Sequence, residues 1–447
     1  MNEEYKFFTA SQDRIYPLYT AEMEGVRVDD VDGNRYLDIS SGCGAVPLGY
    51  SNPELVETAQ EAAAKYAHTG FPHANQSTIR LSHKLAEISP GEGEKKVCLG
   101  CTGSEAIEGA LKLARWYTKR TLFISYLGGH HGAGTMGSLT ASGHLSVWKE
   151  GFHPLVPGVI HAPYPYAYRC PLGASEDNCW EACFNYLKDS ILRNIVSPKD
   201  VSCVLIEPMQ GPGGFIPAPA EYLYELKQFC EEHDILFIVD EILTGFGKTG
   251  KMFAIDHYPK LKPDIVVVGK GLSNGMVPVS AFISSREIMS WPPAAHSTTY
   301  LGYPMGSAIS LKTVEIIERE NLAQRAASMG RFMMKRLKEM QERRPIIGDV
   351  RGMGLLVGLE MVRDRRTKEP ATQETAQIAF RAFQKGLITQ WAGTKFNVLT
   401  LMPPLTITKE QLEEALEILE ESIVDIEKGR SSIPKLPPNF LVATPYR

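Results

Sequence analysis

The chain has 447 residues, 43% hydrophobic and 22% charged, which is ordinary for a globular protein with a large core and, at this length, two unequal domains. Its formal net charge is −5 and no long basic stretch is present, which argues against a nucleic-acid partner and a membrane-surface patch. Residues 1–6 are polar, and no run approaches the roughly 18 apolar residues of a spanning helix, so we expect a cytoplasmic protein without a secretory leader.

The first part of the chain predicts a hairpin and two helices before a longer alternating region. Residues 26–38 alternate around an Asp-Gly-Asn turn, which is typical of a hairpin. Helices are predicted from Asn52 to about residue 67 and over about 77–88. From about residue 97, short apolar strands alternate with amphipathic helices, which implies a mostly parallel sheet covered on both faces. The clearest of these strands are predicted at 122–125, 201–206, 236–239 and 265–268.

The pattern changes near Pro345. Before it, a helical pattern covers about 306–343, with an interruption near Asn321. Beyond it, the sequence predicts a strand pair, a helix, a further strand and a last helix, at 350–361, 374–385, 398–401 and 409–428.

These elements together predict an α/β fold of two domains. Residues 61–330 form a large domain built on a mixed, mostly parallel sheet flanked by helices. Residues 1–60 and 331–430, from both ends of the chain, form a smaller α+β domain. Residues 431–447 hold several prolines and are expected to be an irregular tail.

The eight cysteines do not suggest a disulfide framework in a chain of this length. Cys98 and Cys101 form a single C-x-x-C motif without a second pair. Cys170, Cys179 and Cys183 cluster in a predicted loop and the helix after it. A structural zinc site usually takes four nitrogen or sulfur ligands at recognisable spacings, so we expect reduced thiols and no metal site.

Two predicted strands end in residues that suggest a cofactor. The strand at 265–268 leads to Lys270, where desolvation would lower a lysine pKa and allow a neutral amine to form a Schiff base. The strand at 236–239 leads to Asp240. Taken singly, a lysine such as Lys270 is typical of a solvated strand end, and an aspartate such as Asp240 is typical of a turn or a helix cap. Together they match what pyridoxal phosphate needs, since the lysine binds the aldehyde and the carboxylate faces the pyridinium nitrogen.

Other strand ends carry groups that would complete such a site. Thr102, Gly103 and Ser104 open a helix, whose N-terminus favours a phosphate, although a plain helix cap is the alternative. His130 follows another strand and could stack on a ring or simply lie in a loop. Glu207 follows a third predicted strand. Because ligands of parallel sheets bind at the carboxyl ends of strands, we expect these segments to converge on one site.

The run from Asp240 to Gly250, Asp-Glu-Ile-Leu-Thr-Gly-Phe-Gly-Lys-Thr-Gly, is followed by Val-Gly-Lys-Gly-Leu around Lys270. This double motif resembles class III (ornithine/ω-type) aminotransferases, which are pyridoxal-phosphate enzymes of fold type I. The likeness covers about residues 33–420. It implies that Lys270 carries the Schiff base and moves protons, and that Asp240 keeps the pyridine nitrogen protonated.

The resemblance also assigns further roles. It implies that Thr102, Gly103 and Ser104 hold the phosphate and that His130 stacks on the cofactor. Thr299 matches a threonine that reaches the phosphate of a neighbouring subunit, so the resemblance implies a homodimer, or a dimer of dimers, with shared active sites. Leu243 stands where many relatives have a glutamine that touches the cofactor, and we place it among the cofactor-binding positions. Glu207 is expected to be catalytic, together with Lys270 and Asp240.

The chain departs from the family at the substrate side. Thr400 stands where many of these transaminases have an arginine for the substrate α-carboxylate, and Pro212 where they have its glutamate partner. The joint absence of the arginine and the glutamate is physically reasonable, because a buried glutamate carboxylate without its arginine partner would be unfavourable. Trp391 and Cys43 are further expected pocket residues, and Arg14 and Lys395 are weaker candidates.

Several stretches, among them 163–169 and 397–405, resemble the amino-acid epimerase and aminocaprolactam racemase branch of the family. Racemases of this branch look as if they use an aspartate at the position of Pro212. Two-base racemisation needs an acid or base on each face of the intermediate, and proline cannot titrate, although His130 or Cys43 could substitute.

We therefore expect an aminotransferase that passes the amino group of a primary amine, or of a β- or ω-amino compound, to an oxo acid. A racemase or epimerase is the alternative. A lyase or decarboxylase on the same cofactor, or a homologue without activity, also stays open.

Overall fold

The computed structural model describes residues 16–70 and 73–430, so Arg14 and the predicted tail 431–447 lie outside the described residues. The strands, β1 to β18 in chain order, are Thr20–Glu24, Arg27–Asp30, Arg35–Asp38, Lys95–Gly100, Leu122–Tyr126, Val159–Ala162, Val201–Ile206, Met209–Gln210, Ile216–Pro217, Leu236–Asp240, Ile265–Val268, Ser280–Ser285, Ile347–Met353, Leu356–Asp364, Glu369–Pro370, Leu387–Ile388, Gln390–Ala392 and Val398–Leu401.

The helices, α1 to α12, are Ser41–Gly44, Pro53–Lys65, Gln76–Ile88, Gly103–Thr118, Met136–Ala141, Cys179–Asn185, Leu192–Asn194, Ala220–Glu232, Pro304–Arg319, Leu322–Arg343, Thr372–Gln384 and Lys409–Glu427. The long helical pattern near the C-terminal part is divided, as predicted, because Asn321 adopts a left-handed conformation with φ of 51° between α9 and α10. None of the described helices is long and apolar enough to cross a membrane.

A seven-stranded sheet forms the centre of the molecule, in the order β4-β12-β11-β10-β7-β5-β6. Strand β12 pairs antiparallel with both of its neighbours, and the other pairings are parallel. This arrangement confirms the predicted α/β fold with a mixed, mostly parallel sheet.

The central strands are buried on both faces, which explains their continuous apolar sequences. Every residue of β7, β10 and β11 is buried. Alternate side chains enter two separate apolar clusters, so that Ile238 packs with Ile107 of α4 on one face while Val239 lies in the larger cluster on the other. The sheet is therefore covered by helices on both faces, and its strand ends are left to carry polar groups.

Two smaller sheets involve the C-terminal part of the chain. One has the order β13-β14-β18-β17, with β15 added to β14. The other has the order β1-β2-β3-β16, in which Leu387 of β16 lies opposite Leu37 of β3 in a parallel pair. Residues from both ends of the described chain thus share one sheet. The domain boundaries at residues 60, 330 and 430 stay predictions.

Candidate active site

The loops after five strands of the central sheet meet around one cavity of about 240 Å³. Strands β4, β5, β7, β10 and β11 point the same way, so their carboxyl ends lie at one edge. The segments at these ends contribute Ser104, His131, Glu207, Asp240 and Lys270 to the cavity wall, in that order. This convergence was predicted from the positions of the strand ends in the sequence.

Asp240 is the last residue of β10 and is 4% exposed. One carboxylate oxygen accepts a hydrogen bond from the Ile242 N–H at 3.0 Å, and the other lies 2.7 Å from His131 Nδ1. Asp240 and His131 therefore form a buried, hydrogen-bonded pair. His131 was not among the site residues predicted from the sequence, although its neighbour His130 was.

Glu207 organises the loops beside Asp240. Its two carboxylate oxygens accept hydrogen bonds from the N–H groups of His130 and Gly211, at 2.6 and 2.7 Å. Burial, with the nearby charge of Asp240 also acting against ionisation, raises the pKa of Glu207 to about 7 despite the opposing effect of His131. These contacts fit a positioning residue that holds the His130 loop. The expected catalytic role of Glu207 stays a prediction.

Replacing Glu207 by glutamine is expected to weaken cofactor binding by about tenfold, because an amide must turn its NH₂ toward one of the two N–H donors and lose that hydrogen bond. The measurement is a titration of cofactor-free protein with pyridoxal phosphate, followed by visible absorbance. Glu225→Gln, at an exposed position on α8, is the matched control. An unchanged dissociation constant in Glu207→Gln would remove its positioning role.

The start of α4 provides a place for a phosphate. Thr102 caps the helix by accepting from the Glu105 N–H at 3.2 Å, while Gly103 and Ser104 line the cavity with the first turn of the helix. Free amides and the helix dipole at such a terminus favour an anion. Ser104 Oγ also accepts from the Gly134 N–H at 3.3 Å, which ties the turn to the loop after β5. A Cβ on Gly132 would collide with that same Oγ, so the loop can lie this close only as glycine.

The remaining walls suit a flat aromatic ring. Ile242 and Leu243 supply apolar surface. Burial, reinforced by the charge of Lys270, lowers the pKa of His130 to about 3, so its ring is neutral. Trp148 lies with its ring centroid 5.0 Å from that of His130, at 72°. Lys270 opens a short 3₁₀ turn directly after β11 with φ of 41° and is half-buried.

Two buried nitrogens strengthen the fit to pyridoxal phosphate. His130 Nδ1 and His131 Nε2 have no hydrogen-bond partner within the described structure. Buried polar atoms are seldom left unpaired, so partners from a bound group are expected here. The cavity combines the groups that this cofactor needs, namely an amine, a buried carboxylate, apolar walls and a helix N-terminus.

Several predicted site residues lie elsewhere. Pro212 lines the cavity, but Cys43, Trp391 and Thr400 do not. Cys43 is exposed, and Trp391 packs against the main apolar cluster. Thr400 is 1% exposed and its hydroxyl donates to the Gln390 carbonyl at 3.1 Å. Their assignment to the substrate pocket stays a prediction, without support from this cavity.

Lys248 is a buried lysine that was not among the site residues predicted from the sequence. Lys248 is 1% exposed and its Nζ donates to Ser41 Oγ at 2.9 Å. Burial lowers the pKa of Lys248 to about 7; the charge of Asp38 opposes this shift and that of Lys270 adds to it. The amine is therefore largely neutral above that pH in the folded protein.

Replacing Lys248 by methionine is expected to remove a pH-dependent part of the stability. Between about pH 7 and pH 10.5 the unfolded chain keeps a proton on this amine that the folded protein has released, so the wild type gains stability as pH rises. The gain relative to the variant is at most about 1.4 kcal/mol per pH unit. Denaturant unfolding from about pH 6 to about pH 9 measures it. The exposed Lys251→Met serves as control, and a pH-independent difference between wild type and Lys248→Met would contradict this account.

Comparison with known proteins agrees with this geometry. The family model described as Aminotransferase class-III matches residues 8–423. The chain is 40% identical to isoleucine 2-epimerase from Lentilactobacillus buchneri, over 97% of this chain and 96% of that protein. It is 37% identical to a probable 4-aminobutyrate aminotransferase from Bacillus subtilis, over 90% and 91% of the two chains. A crystal structure of a Bacillus anthracis aminotransferase superposes with a TM-score of 0.87 at 32% identity, covering 95% of this chain and 97% of the other. The chain therefore belongs to the class III aminotransferase family of fold type I, whose cofactor is pyridoxal 5′-phosphate.

Proposed function

We propose that the protein is an aminotransferase that moves an amino group from a primary amine, or from a β- or ω-amino compound, to an oxo acid. One observation carries the proposal. Lys270 and the buried Asp240–His131 pair line the same cavity as the N-terminal turn of α4. The cavity thus combines an amine, a carboxylate and a helix N-terminus, which are the groups that pyridoxal phosphate would need.

Each residue has a defined task in this proposal. The bound cofactor supplies an electron sink for the bond that breaks at the substrate. Lys270 removes the proton from the substrate carbon that bears the amino group. Asp240, oriented by His131, holds a proton on the pyridine nitrogen. Gly103 and Ser104 bind the phosphate, and the neutral ring of His130 packs beside the cofactor.

The wall of the cavity favours amino transfer over racemisation. Racemisation with two bases needs an acid or base on each face of the substrate, whereas transfer needs one. Pro212 cannot titrate, and with a pKa of about 3 His130 is a weak base. A racemase or epimerase is the second candidate, because the isoleucine 2-epimerase noted above is 40% identical over nearly the whole chain.

The donor class follows from the charges of the same wall. No arginine lines the cavity within the described part of the chain, and the Thr400 hydroxyl is already bonded to Gln390. A substrate carboxylate next to the reacting carbon would therefore lack a fixed cation. Amines without an α-carboxylate are the proposed donors.

We further propose a homodimer in which Thr299 completes the phosphate site of the neighbouring subunit. Thr299 is exposed, does not line the cavity of its own chain, and is followed by Tyr300, which is 55% exposed. Light scattering of the holoenzyme tests this assembly, or a dimer of such dimers. The eight free cysteines support the reducing cytoplasm as its location.

Mixing the holoenzyme with single amines and amino acids, without an oxo acid, tests the activity. An aminotransferase loses the visible absorbance of its lysine-bound cofactor and releases one oxo product per site. A racemase keeps that absorbance and washes solvent deuterium into recovered amino acid. The second pattern, with inversion of the donor, would replace the proposal by its alternative.

A further inference from the structure

Three cysteines that lie apart in sequence come together where the chain after a 3₁₀ turn meets α6. Cys170 follows a 3₁₀ turn at Ala167–Arg169, while Cys179 and Cys183 lie one turn apart on α6. Their sulfur atoms all lie within 4.8 Å of one another. The spacing in the sequence predicted no metal site, but folding places three soft ligands around one point.

The burial of these sulfurs differs in a way that suits a binding site. Cys179 is 1% exposed and Cys183 is fully buried, so α6 fixes both of them in the apolar interior. Cys170 is half-buried and leaves an opening to solvent. Cys203 and Cys230 are also buried but belong to no such group among the described residues.

The separation of the sulfurs is close to that of a metal-bound set. Thiolates bind zinc at about 2.3 Å, which places neighbouring sulfurs roughly 3.8–4.0 Å apart. Small side-chain adjustments would bring sulfurs already within 4.8 Å to that spacing. A disulfide joins only two sulfurs and would leave the third thiol unpaired beside it. Three mutually close sulfurs therefore favour a metal over a disulfide.

We propose that Cys170, Cys179 and Cys183 bind one thiophilic metal ion of the Zn(II) or Cu(I) class through three thiolates. Soft thiolate sets select these ions. If the ion is Zn(II), water entering beside Cys170 supplies the fourth ligand, whereas Cu(I) needs none.

The ion would fix a loop that joins two parts of the fold. Arg169, next to Cys170, donates to the Glu360 carboxylate on β14. Arg351 donates to the other oxygen of Glu360 at 2.8 Å and lies over the ring of Tyr166, 4.7 Å from its centroid. Metal binding at Cys170 would anchor this loop to α6 and stabilise the folded state, because the ion binds the folded protein in preference to the unfolded chain.

Cadmium titration of the reduced holoenzyme tests the site. We expect about one Cd(II) per chain to remain after dialysis, with sulfur-to-metal absorbance in the near ultraviolet and a raised melting temperature. Cys170→Ser should lose at least about tenfold in Cd(II) affinity, as expected for removal of a metal ligand. Cys98→Ser, from the other cysteine pair and equally half-buried, should bind like the wild type. Cu(I) and Zn(II) competition then identifies the preferred ion.

Alkylation of the wild-type protein tests the same site if Cys170→Ser does not fold. Zn(II) or Cu(I) should protect Cys170 of the wild type from alkylation, as read by peptide mass spectrometry. Three results would overturn the proposal: no bound Cd(II), equal binding by folded Cys170→Ser, or a Cys170–Cys179 disulfide in protein purified without reductant.

Discussion

Replacing Lys270 by alanine is expected to abolish the visible absorbance of covalently bound cofactor and to lower turnover by at least about a thousandfold. Lys270 is the amine in the wall of the cavity, at the end of β11 and facing the same space as Asp240. Alanine removes both the covalent attachment and the base that takes the substrate proton. The effect should fall on turnover, because the proposed phosphate site at α4 and the apolar walls of the cavity remain.

The measurement combines a visible spectrum of the purified variant with a rate assay for oxo product. Lys251→Ala, at an exposed position beyond the glycine-rich turn, is the matched control and should keep both the visible absorbance and the wild-type rate. Turnover by Lys270→Ala at the wild-type rate would refute the proposed mechanism.

Replacing Asp240 by asparagine should leave the fold intact and lower turnover by at least about a hundredfold. The amide has nearly the same shape, so the hydrogen bond from the Ile242 N–H can persist. It has no negative charge to hold a proton on the pyridine nitrogen, and its NH₂ group can face His131 Nδ1, which now lies 2.7 Å from a carboxylate oxygen.

Steady-state kinetics and the melting temperature separate these effects. Asp234→Asn is the control, because Asp234 is exposed just before the same strand and its φ of 53° suits asparagine. A wild-type rate in Asp240→Asn would remove its role as partner of the pyridine nitrogen. A large fall in melting temperature would assign the residue to the fold instead.

Much of the fold could be predicted because the strands are short, apolar and buried on both faces. The run that becomes β10 ends at Asp240, and the parallel arrangement fixes which ends of the strands meet. Strand β12 was not predicted, since its sequence Ser-Ala-Phe-Ile-Ser-Ser mixes small and apolar residues without clear alternation. It pairs antiparallel with β11, the strand just before it in the chain, and with β4, which is distant in the chain.

The site was predictable in part for the same reason. Positions within a few residues of strand ends, such as Ser104 and Lys270, reach the cavity through backbone topology. His131 and Lys248 were missed because their importance arises from side-chain contacts across 109 and 207 residues, which local patterns do not encode. Thr400 was assigned to the pocket by likeness to relatives, and this assignment stays a prediction; its hydroxyl donates to the Gln390 carbonyl on the neighbouring strand.

The most direct test of the central claim follows the amino nitrogen itself. The holoenzyme is incubated with an amine whose nitrogen carries a heavy isotope, together with an unlabelled oxo acid, and the products are analysed by mass spectrometry. Our account predicts that the label appears in the amino acid formed from the oxo acid, and that Lys270→Ala forms none. Label that stays entirely on the donor, while the donor's stereocentre inverts, would contradict amino transfer and assign the site to racemisation.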